Sequence, residues 1–220
     1  GKLTGGSNDY TLPPCPATNG ATTCLDVTGH TMPHTPKFSA QLQYQHVFRL
    51  GEGSTLVGDT IVNLTWQSNV GFIFDAKTFA LKGRFNYKGE GWGLASDAKN
   101  VYMSDGSAEI RILDPKTLEE RRRISVTAEG KPIAQLNELE MVDGKIYSNI
   151  FTSWDIVRIE PKTGCVEAVA DMHDLWDRMG ADEHQYLMTD SNFVLNGIAY
   201  DSRTKLFYIT GKNWRIIFTG

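Results

Sequence analysis

The sequence predicts an all-β protein, because two strand–turn–strand phrases recur along it from residue 51 onwards. The first phrase has an acidic-x-Lys-Thr turn and occurs three times, at residues 74–85, 113–124 and 159–170. The second joins two apolar strands through an Asp/Gly turn and occurs at residues 51–66, 89–105, 136–150 and 195–211. Two alternating hairpins make a four-stranded unit, and repetition of such a unit is typical of β-propeller blades.

Four such units can be counted along the chain. They span roughly residues 51–87, 89–127, 135–172 and 193–220. The last unit ends early, and residues 173–192 are expected to form a helical insert between two blades. A β-sandwich of similar hairpins is the alternative, but sandwiches seldom repeat the same turn phrase. The sequence therefore predicts an incomplete β-propeller of about four blades.

The N-terminal part follows a different pattern, so the chain divides into residues 1–50 and 51–220. Residues 1–36 are rich in Gly, Pro, Thr and Asn, which is typical of loops and turns. From Phe38 to Leu50 apolar and polar residues alternate, which predicts one long β-strand. Such a strand fits either a transmembrane β-barrel or the edge of a soluble sheet.

Composition argues against several classes of function. The formal net charge of −4 does not suit a nucleic-acid-binding protein, which needs a basic face. No stretch has the apolar length of a transmembrane helix, and no Cys/His set has the spacing of a zinc site. We therefore expect no nucleic-acid partner and neither a metal nor another cofactor.

Two of the three cysteines lie close together. Cys15 and Cys24 bracket the segment PATNGATT, a loop that could close as a disulfide and would then indicate an oxidising compartment. Two unpaired thiols in a loose loop are the alternative. Cys165 stands alone in PKTGCVEAV, and we expect it to be a buried strand residue.

A set of eight phrases runs in order through the second part of the chain. They are LTWQSNVGFIFDAKTF, GEGWGLASD, MSDGS, LDPKTL, GKPIAQLNELE, VRIEPKTG, VLNGIAYD and TGKNW. Together they resemble the glutamine cyclotransferases of the plant and bacterial β-propeller type, over about residues 51–220. The resemblance implies a five-bladed fold of which the first blade is absent here. It also implies an enzyme that converts the N-terminal glutamine of peptides to pyroglutamate and releases ammonia.

Residues 1 to about 50 resemble a different family, the TonB-dependent outer-membrane receptors, through the phrase GHTMPHTPKFSAQLQYQHVF. The stretch GEGSTLVGD fits both families, so the junction is expected within residues 49–60. These resemblances imply an exported protein, expected in the periplasm, with the outer membrane as the alternative. Membrane contact is expected only if residues 1–50 belong to a barrel, and the protein is expected to be a monomer.

The cyclotransferase resemblance also assigns site residues. It implies that Glu52 moves a proton from the attacking amine to the leaving ammonia. The implied substrate-binding residues are Trp66, Trp92, Asn137, Phe151, Trp154 and Lys212. Trp66 and Trp92 would wall the methylene stem of the substrate, Asn137 would hold it, and Lys212 would stabilise charge on the carbonyl oxygen.

The sequence departs from the family pattern at one of these positions. Phe151 stands where the family usually has tryptophan, and Trp154 follows three residues later. Glu90, in the second GEG phrase, is expected to be a turn residue at the start of a blade rather than a second acid.

Three functions stay open. The first is a glutaminyl-peptide cyclotransferase, and this is the one we expect. The second is a catalytically impaired, truncated propeller that acts as a binding module, which the missing blade and Phe151 favour. The third is a fragment of an outer-membrane receptor fusion, which would need more barrel strands than the one candidate can supply.

Overall fold

The computed structural model describes residues 53–220 of the chain. The predictions for Cys15, Cys24, Glu52 and the strand over residues 38–50 lie outside the described residues. Nearly all of the regular structure within the described part is β-strand, and it is arranged in four successive sheets.

The four sheets follow one another along the chain. The first contains β1 (Ser54–Val57), β2 (Thr60–Asn63), β3 (Val70–Asp75) and β4 (Leu81–Asn86). The second contains β5 (Leu94–Ser96), β6 (Val101–Ser104), β7 (Glu109–Leu113) and β8 (Glu120–Ser125), and it is followed by a short hairpin of β9 (Thr127–Ala128) and β10 (Lys131–Pro132). The third contains β11 (Leu136–Val142), β12 (Lys145–Ile150), β13 (Asp155–Ile159) and β14 (Val166–Asp171). After the helices α1 (Asp174–Asp177) and α2 (Ala181–Leu187), the fourth contains β15 (Leu195–Asp201), β16 (Leu206–Gly211) and β17 (Phe218–Thr219).

Each sheet is an antiparallel meander in which the spatial order of the strands is their order along the chain. The first strands of consecutive sheets pack side by side, β1 against β5, β5 against β11 and β11 against β15. Meanders joined through their first strands are the blades of a β-propeller. The predicted propeller of about four blades is confirmed, and the fourth blade has three strands.

The repeated acidic-x-Lys-Thr phrase forms the outer turn of three blades. In the first, the Oδ1 atom of Asp75 accepts hydrogen bonds from the backbone N–H of Lys77 (3.0 Å) and of Thr78 (2.9 Å). The Asp114 and Glu160 carboxylates accept equivalent bonds in the second and third blades. The residue that follows the phrase has a positive φ in every case: Phe79 (57°), Leu118 (58°) and Gly164 (76°). The side chain thus stabilises a turn that returns the chain into the next strand.

The hydrophobic core lies mainly between consecutive blades. Leu64 of the first blade packs with Leu94 and Met103 of the second, and all three are buried. Ile110 of the second blade packs with Leu139 of the third in another cluster. A third cluster joins the third blade, the helices and the fourth blade through Ile156, Leu175, Leu195 and Ile209. Apolar burial of this kind is the main force that holds one blade to the next.

The outermost strands of the first two blades are largely exposed. In β8, only Ile124 is buried, and its exposed side chains include Glu120 and Arg123. Arg123 forms ion pairs with Glu120 (2.7 Å) and with Glu109 of the neighbouring strand (3.0 Å). In β4 only Phe85 is buried.

The predicted helical insert is confirmed, because α1 and α2 both lie within residues 173–192. Leu175 and Leu187 point into the protein and are buried. Among residues 53–220, neither helix is long and apolar enough to cross a membrane.

The expectation that Cys165 is a buried strand residue is wrong. Cys165 is exposed and lies just before β14, where it forms an isolated parallel bridge with Thr127. The buried residue of this turn is Gly164, because a Cβ atom at Gly164 would clash with the Ser125 carbonyl oxygen. The close approach of the two backbones therefore occurs at the glycine, and the cysteine side chain is directed outwards.

Candidate active site

The inner strands of the third and fourth blades carry an asparagine at the same step of the repeat. The pairing register of β11 shifts by one residue between Leu136 and Leu139, and that of β15 shifts between Leu195 and Ile198. These β-bulges contain Asn137 and Asn196 respectively. Bulges re-aim side chains next to binding sites, and both asparagine side chains are directed into the protein and buried.

Asn137 is a predicted site residue, and it has an unsatisfied side chain. Its Oδ1 atom is buried and has no hydrogen-bond partner within residues 53–220. Its backbone carbonyl oxygen is satisfied by the Ser104 hydroxyl at 2.6 Å. A buried acceptor without a partner is unfavourable, so this amide oxygen is suited to accept a hydrogen bond from a bound molecule.

Asn196 is a buried polar residue that sequence reasoning missed. Its Oδ1 atom accepts a hydrogen bond from the backbone N–H of Glu138 at 3.4 Å, and the adjacent Gly197 N–H donates to the Asn149 side chain at 3.1 Å. Asn196 could have been found from the repeat, because LNELE and LNGIA align Asn137 with Asn196. Its side chain joins the third and fourth blades.

Three predicted site residues form a continuous contact across the second, third and fourth blades. Trp92 precedes β5, Phe151 follows β12 and Lys212 follows β16. The Trp92 and Phe151 rings meet edge to face with their centroids 5.4 Å apart. The Lys212 ammonium nitrogen lies 5.2 Å from the centroid of the Phe151 ring, within the range of a cation–π interaction. The structure therefore places a cation against an aromatic surface at the ends of these strands.

Trp66, also a predicted site residue, joins this group through Glu90. The indole N–H of Trp66 donates to Oε2 of Glu90 at 2.6 Å, and the indole N–H of Trp92 donates to the same oxygen at 2.8 Å. The side-chain amide of Gln67 donates to Oε1 of Glu90 at 3.1 Å. Trp66 comes from the first blade, so the four blades all contribute to one connected set of side chains.

The hydrogen bonds to Glu90 also favour its ionised form. The pKa of Glu90 is lowered from its usual value, first by the hydrogen bond from Trp92 and then by that from Gln67. Each of these donors favours the ionised carboxylate. Glu90 lies in the segment between β4 and β5, ahead of the second blade, and nothing in the sequence indicates its contact with both Trp66 and Trp92.

The glycines of the GEGWG phrase let the chain pass close to other backbone. A Cβ atom at Gly91 would lie 2.6 Å from the Tyr87 hydroxyl oxygen and 2.9 Å from the Thr65 carbonyl oxygen. A Cβ atom at Gly93 would clash with the Asn137 carbonyl oxygen. Only glycine fits at these two positions, and their packing fixes Glu90 and Trp92 against the first and third blades.

Trp154 lies in a separate aromatic cluster beside the helices. Its ring contacts His173, Trp176 and Trp214, at centroid distances of 5.4, 5.9 and 5.6 Å. Trp154 and Trp176 line a cavity of about 180 Å³. This cavity adjoins the site through Val194 in its wall, because the Val194 carbonyl oxygen accepts the backbone N–H of Lys212 at 2.9 Å.

Two predictions are left: that the protein has no metal site, and that Glu52 transfers the proton. Within residues 53–220, no group of three or more His, Cys, Asp or Glu side chains is placed to hold a metal ion. Glu52 lies outside the described residues, so its role stays a prediction. The next residue, Gly53, accepts the backbone N–H of Leu64 at 2.9 Å. A Cβ atom at Gly53 would lie 2.6 Å from the Gly93 carbonyl carbon, so the described chain begins close to Trp92.

Comparisons with known proteins match this chain to one family. The family model for glutamine cyclotransferase matches residues 23–219. A curated glutaminyl-peptide cyclotransferase of Arabidopsis thaliana is 33% identical over 165 residues, which is 74% of this chain and 50% of the relative. The chain therefore spans about half the length of that relative. The matched range begins upstream of residue 51, and the division between residues 1–50 and 51–220 stays a prediction.

A solved structure gives the same result. The crystal structure of the Myxococcus xanthus glutaminyl cyclase superposes with a TM-score of 0.70 and 30% sequence identity. The superposition covers 76% of this chain and 70% of that one. The similarity thus includes most of the described blades.

Proposed function

Because this chain belongs to the glutamine cyclotransferase family, we propose that it converts the N-terminal glutamine of a peptide to pyroglutamate with release of ammonia. The observation that carries this proposal is the contact set of Trp92, Phe151 and Lys212. It combines apolar walls with a cation at the positions that the family resemblance assigns to the substrate. Asn137 adds a buried acceptor without a partner in the described structure.

The proposed reaction is intramolecular in the substrate. The neutral α-amine attacks the carbon of the side-chain carboxamide, a new C–N bond closes the five-membered lactam, and the C–N bond to the leaving nitrogen breaks. One proton moves from the attacking nitrogen to the leaving nitrogen, which departs as ammonia. The protein needs to hold glutamine in the cyclic shape, move that proton and stabilise charge on the carbonyl oxygen.

The described residues can be given roles in this reaction. The faces of Trp66, Trp92 and Phe151 would pack on the methylene stem of glutamine and exclude water. The Lys212 ammonium would stabilise negative charge that develops on the carbonyl oxygen. The Oδ1 atom of Asn137 would accept a hydrogen bond from a substrate N–H, which would also satisfy this buried atom.

We assign the proton transfer to Glu52, as the family resemblance implies. A shuttle that accepts and then donates a proton works best when its pKa lies near the working pH. Glu90 does not suit this role, because its hydrogen bonds from two indoles and an amide lower its pKa and occupy its oxygens. Glu52 and Glu90 are therefore proposed to act differently.

The test is ammonia release from a short peptide with N-terminal glutamine, measured for the parent chain, Glu52→Gln and Glu119→Gln. Glu119 is exposed at the outer turn of the second blade and serves as the control. We expect turnover by the parent and the control and none by Glu52→Gln. Equal turnover by all three would show that another group moves the proton.

The binding-module alternative predicts a different result in the same experiment. It is favoured by Phe151, which lacks the indole N–H of the family's usual tryptophan. A folded parent chain that binds the peptide but releases no ammonia would support it. Calorimetry with the same peptide separates this outcome from a chain that does not bind at all.

We propose further that the protein is exported to an oxidising compartment, where Cys15 and Cys24 form a disulfide. The support is the closeness of the two cysteines in the sequence. Thiol labelling of the purified, unfolded chain should modify Cys165 alone without reductant and all three cysteines after reduction. Labelling of all three without reductant would contradict the proposal.

A further inference from the structure

Glu90 receives its hydrogen bonds from the two tryptophans that line the proposed pocket. Oε2 accepts both indole N–H groups, from Trp66 at 2.6 Å and from Trp92 at 2.8 Å. Oε1 accepts the Gln67 amide at 3.1 Å. An indole nitrogen is only a donor, so each tryptophan has a single way to be fixed by a hydrogen bond, and Glu90 provides it for both.

The backbone around Glu90 is fixed to the same loop of the first blade. Gly91 donates its N–H to the Trp66 carbonyl oxygen at 2.9 Å, and Gly89 donates its N–H to the Asn69 side chain at 2.8 Å. The Tyr87 hydroxyl is also hydrogen-bonded to Thr65. The backbone on both sides of Glu90 is thus held against the first blade, which limits the positions that its carboxylate can take relative to the two indoles.

The orientation of Trp66 depends strongly on this carboxylate. Its side chain is a large aromatic group that is 47% exposed, so packing restrains only part of it. The Trp92 ring is more confined, because it covers Gly106 and meets Phe151 edge to face. Because both indoles donate to the same Glu90 oxygen, the confined Trp92 ring also restrains the orientation of Trp66, which belongs to the neighbouring blade.

We propose that Glu90 is a positioning residue of the cyclisation site, whose carboxylate fixes the rings of Trp66 and Trp92 relative to each other. The two rings then present a preformed aromatic wall to the methylene stem of the N-terminal glutamine. The effect on turnover rests on the proposed function, whereas the fixing of the two rings does not. Glu90 acts through the tryptophans and takes no part in the proton transfer.

Activity measurements separate positioning from a purely structural role. Glu90→Ala removes the shared acceptor, and kcat/KM for a peptide with N-terminal glutamine should fall roughly ten- to a hundredfold, mainly through a higher KM. Glu90→Gln keeps one carbonyl oxygen that can accept from the indoles, so kcat/KM should fall clearly less than in Glu90→Ala. Glu119→Ala, at an exposed turn, should keep the parent's kinetic constants.

The two Glu90 variants make the result decisive. Unchanged KM and kcat in folded Glu90→Ala would overturn the proposal. The proposal would also be overturned if kcat/KM fell equally in Glu90→Ala and Glu90→Gln and this fall accompanied a lower unfolding midpoint. Glu90 would then only stabilise the fold.

The indole N–H signals test the positioning independently of activity. The ¹H–¹⁵N resonances of Trp66 and Trp92, assigned with Trp66→Phe and Trp92→Phe, should both shift in Glu90→Ala, while those of Trp154, Trp176 and Trp214 stay in place. If the parent chain shows this pattern but releases no ammonia, the proposed function fails and the positioning stands. Unmoved resonances of Trp66 and Trp92 would overturn the positioning, whatever the activity.

Discussion

Asn137 and Asn196 occupy the same step of the repeat but have different partners. Both lie in a bulge of an inner strand and both are buried. The Asn196 side chain accepts a backbone N–H from the third blade, whereas the Oδ1 atom of Asn137 has no partner in the described part of the chain. One amide thus serves the fold, and the other is available to a ligand.

This difference predicts opposite effects of the two alanine substitutions. Asn196→Ala removes the hydrogen bond between the Glu138 N–H and the Asn196 side chain and should lower the free energy of unfolding by about 1 to 2 kcal/mol. Asn137→Ala should change stability by less and should lower kcat/KM by more. Urea unfolding and steady-state kinetics on both variants check the prediction, and the reverse order in either measurement would contradict it.

Lys212 is the cation of the proposed site, and its charge is expected to act on the reaction. Lys212→Met keeps much of the side-chain length but removes the ammonium that would stabilise the carbonyl oxygen. We expect kcat to fall on the order of a hundredfold, with a smaller change in KM. Lys131→Met, at an exposed lysine in β10, is the control and should leave kcat unchanged. An unchanged kcat in Lys212→Met would remove Lys212 from the mechanism.

At the scale of single residues, the sequence was informative where a motif marked the position. Trp66, Trp92, Phe151 and Lys212 were all assigned by resemblance, and the structure brings them into one connected set. Glu90 was not assigned, because its contacts come from a neighbouring blade. Sequence spacing does not reveal such long-range hydrogen bonds.

At the scale of single elements, the outer turns show why one short phrase recurs. The acidic side chain accepts hydrogen bonds from backbone N–H groups of the turn, and the residue after the acidic-x-Lys-Thr phrase takes a positive φ. The phrase therefore predicted the hairpins of three blades. The small β9–β10 hairpin was not predicted, because no repeated residue pattern marks it. The inner-strand bulges coincide with the repeated Leu-Asn pair of LNELE and LNGIA, but a sequence phrase alone does not show a shift in strand pairing.

The turn of the first blade gives a prediction for acid stability. Backbone hydrogen bonds from Thr78 and Lys77, in that order, lower the pKa of Asp75 from 3.8 to about 2. Because the folded-state pKa is depressed, the unfolded chain binds the proton first as the pH falls. The stability that Asp75 contributes is thus complete above about pH 4 and is lost as the pH falls towards 2.

Asp75→Asn should remove this part of the pH dependence. The difference in urea midpoint between the parent and Asp75→Asn should narrow as the pH falls from 5 to 2. Asp59→Asn, at an exposed position of the inner turn in the same blade, is the matched control. A constant difference over this pH range would show that the Asp75 charge does not contribute.

Across the whole molecule, the blades are held together along an arc from the first to the fourth. The buried clusters each lie between neighbours in this arc, and no contact of comparable extent joins the first and fourth blades within residues 53–220. The number of blades followed from the repeated phrases. The way they pack did not, because it depends on contacts between residues far apart in the sequence.

Substitution of Gly93 gives a test of the close packing between the second and third blades. A Cβ atom there meets the Asn137 carbonyl oxygen, which is backbone and cannot move independently. Gly93→Ala should therefore lower the free energy of unfolding by about 3 kcal/mol. Gly180→Ala is the control, because nothing lies within 4 Å of a Cβ atom at Gly180. Equal stability of the two variants, measured by thermal unfolding, would contradict the close packing.

The charged outer strand of the second blade has a consequence for self-association. An outermost strand offers unpaired backbone groups to any passing chain, and a second copy could extend the sheet there. If β8 of a second copy paired with β8, the exposed arginines of the two strands would lie close together and repel each other. The ion pairs of Arg123 would also be disturbed. We therefore expect the arginines and glutamates of β8 to disfavour growth of the protein into fibrils at high concentration.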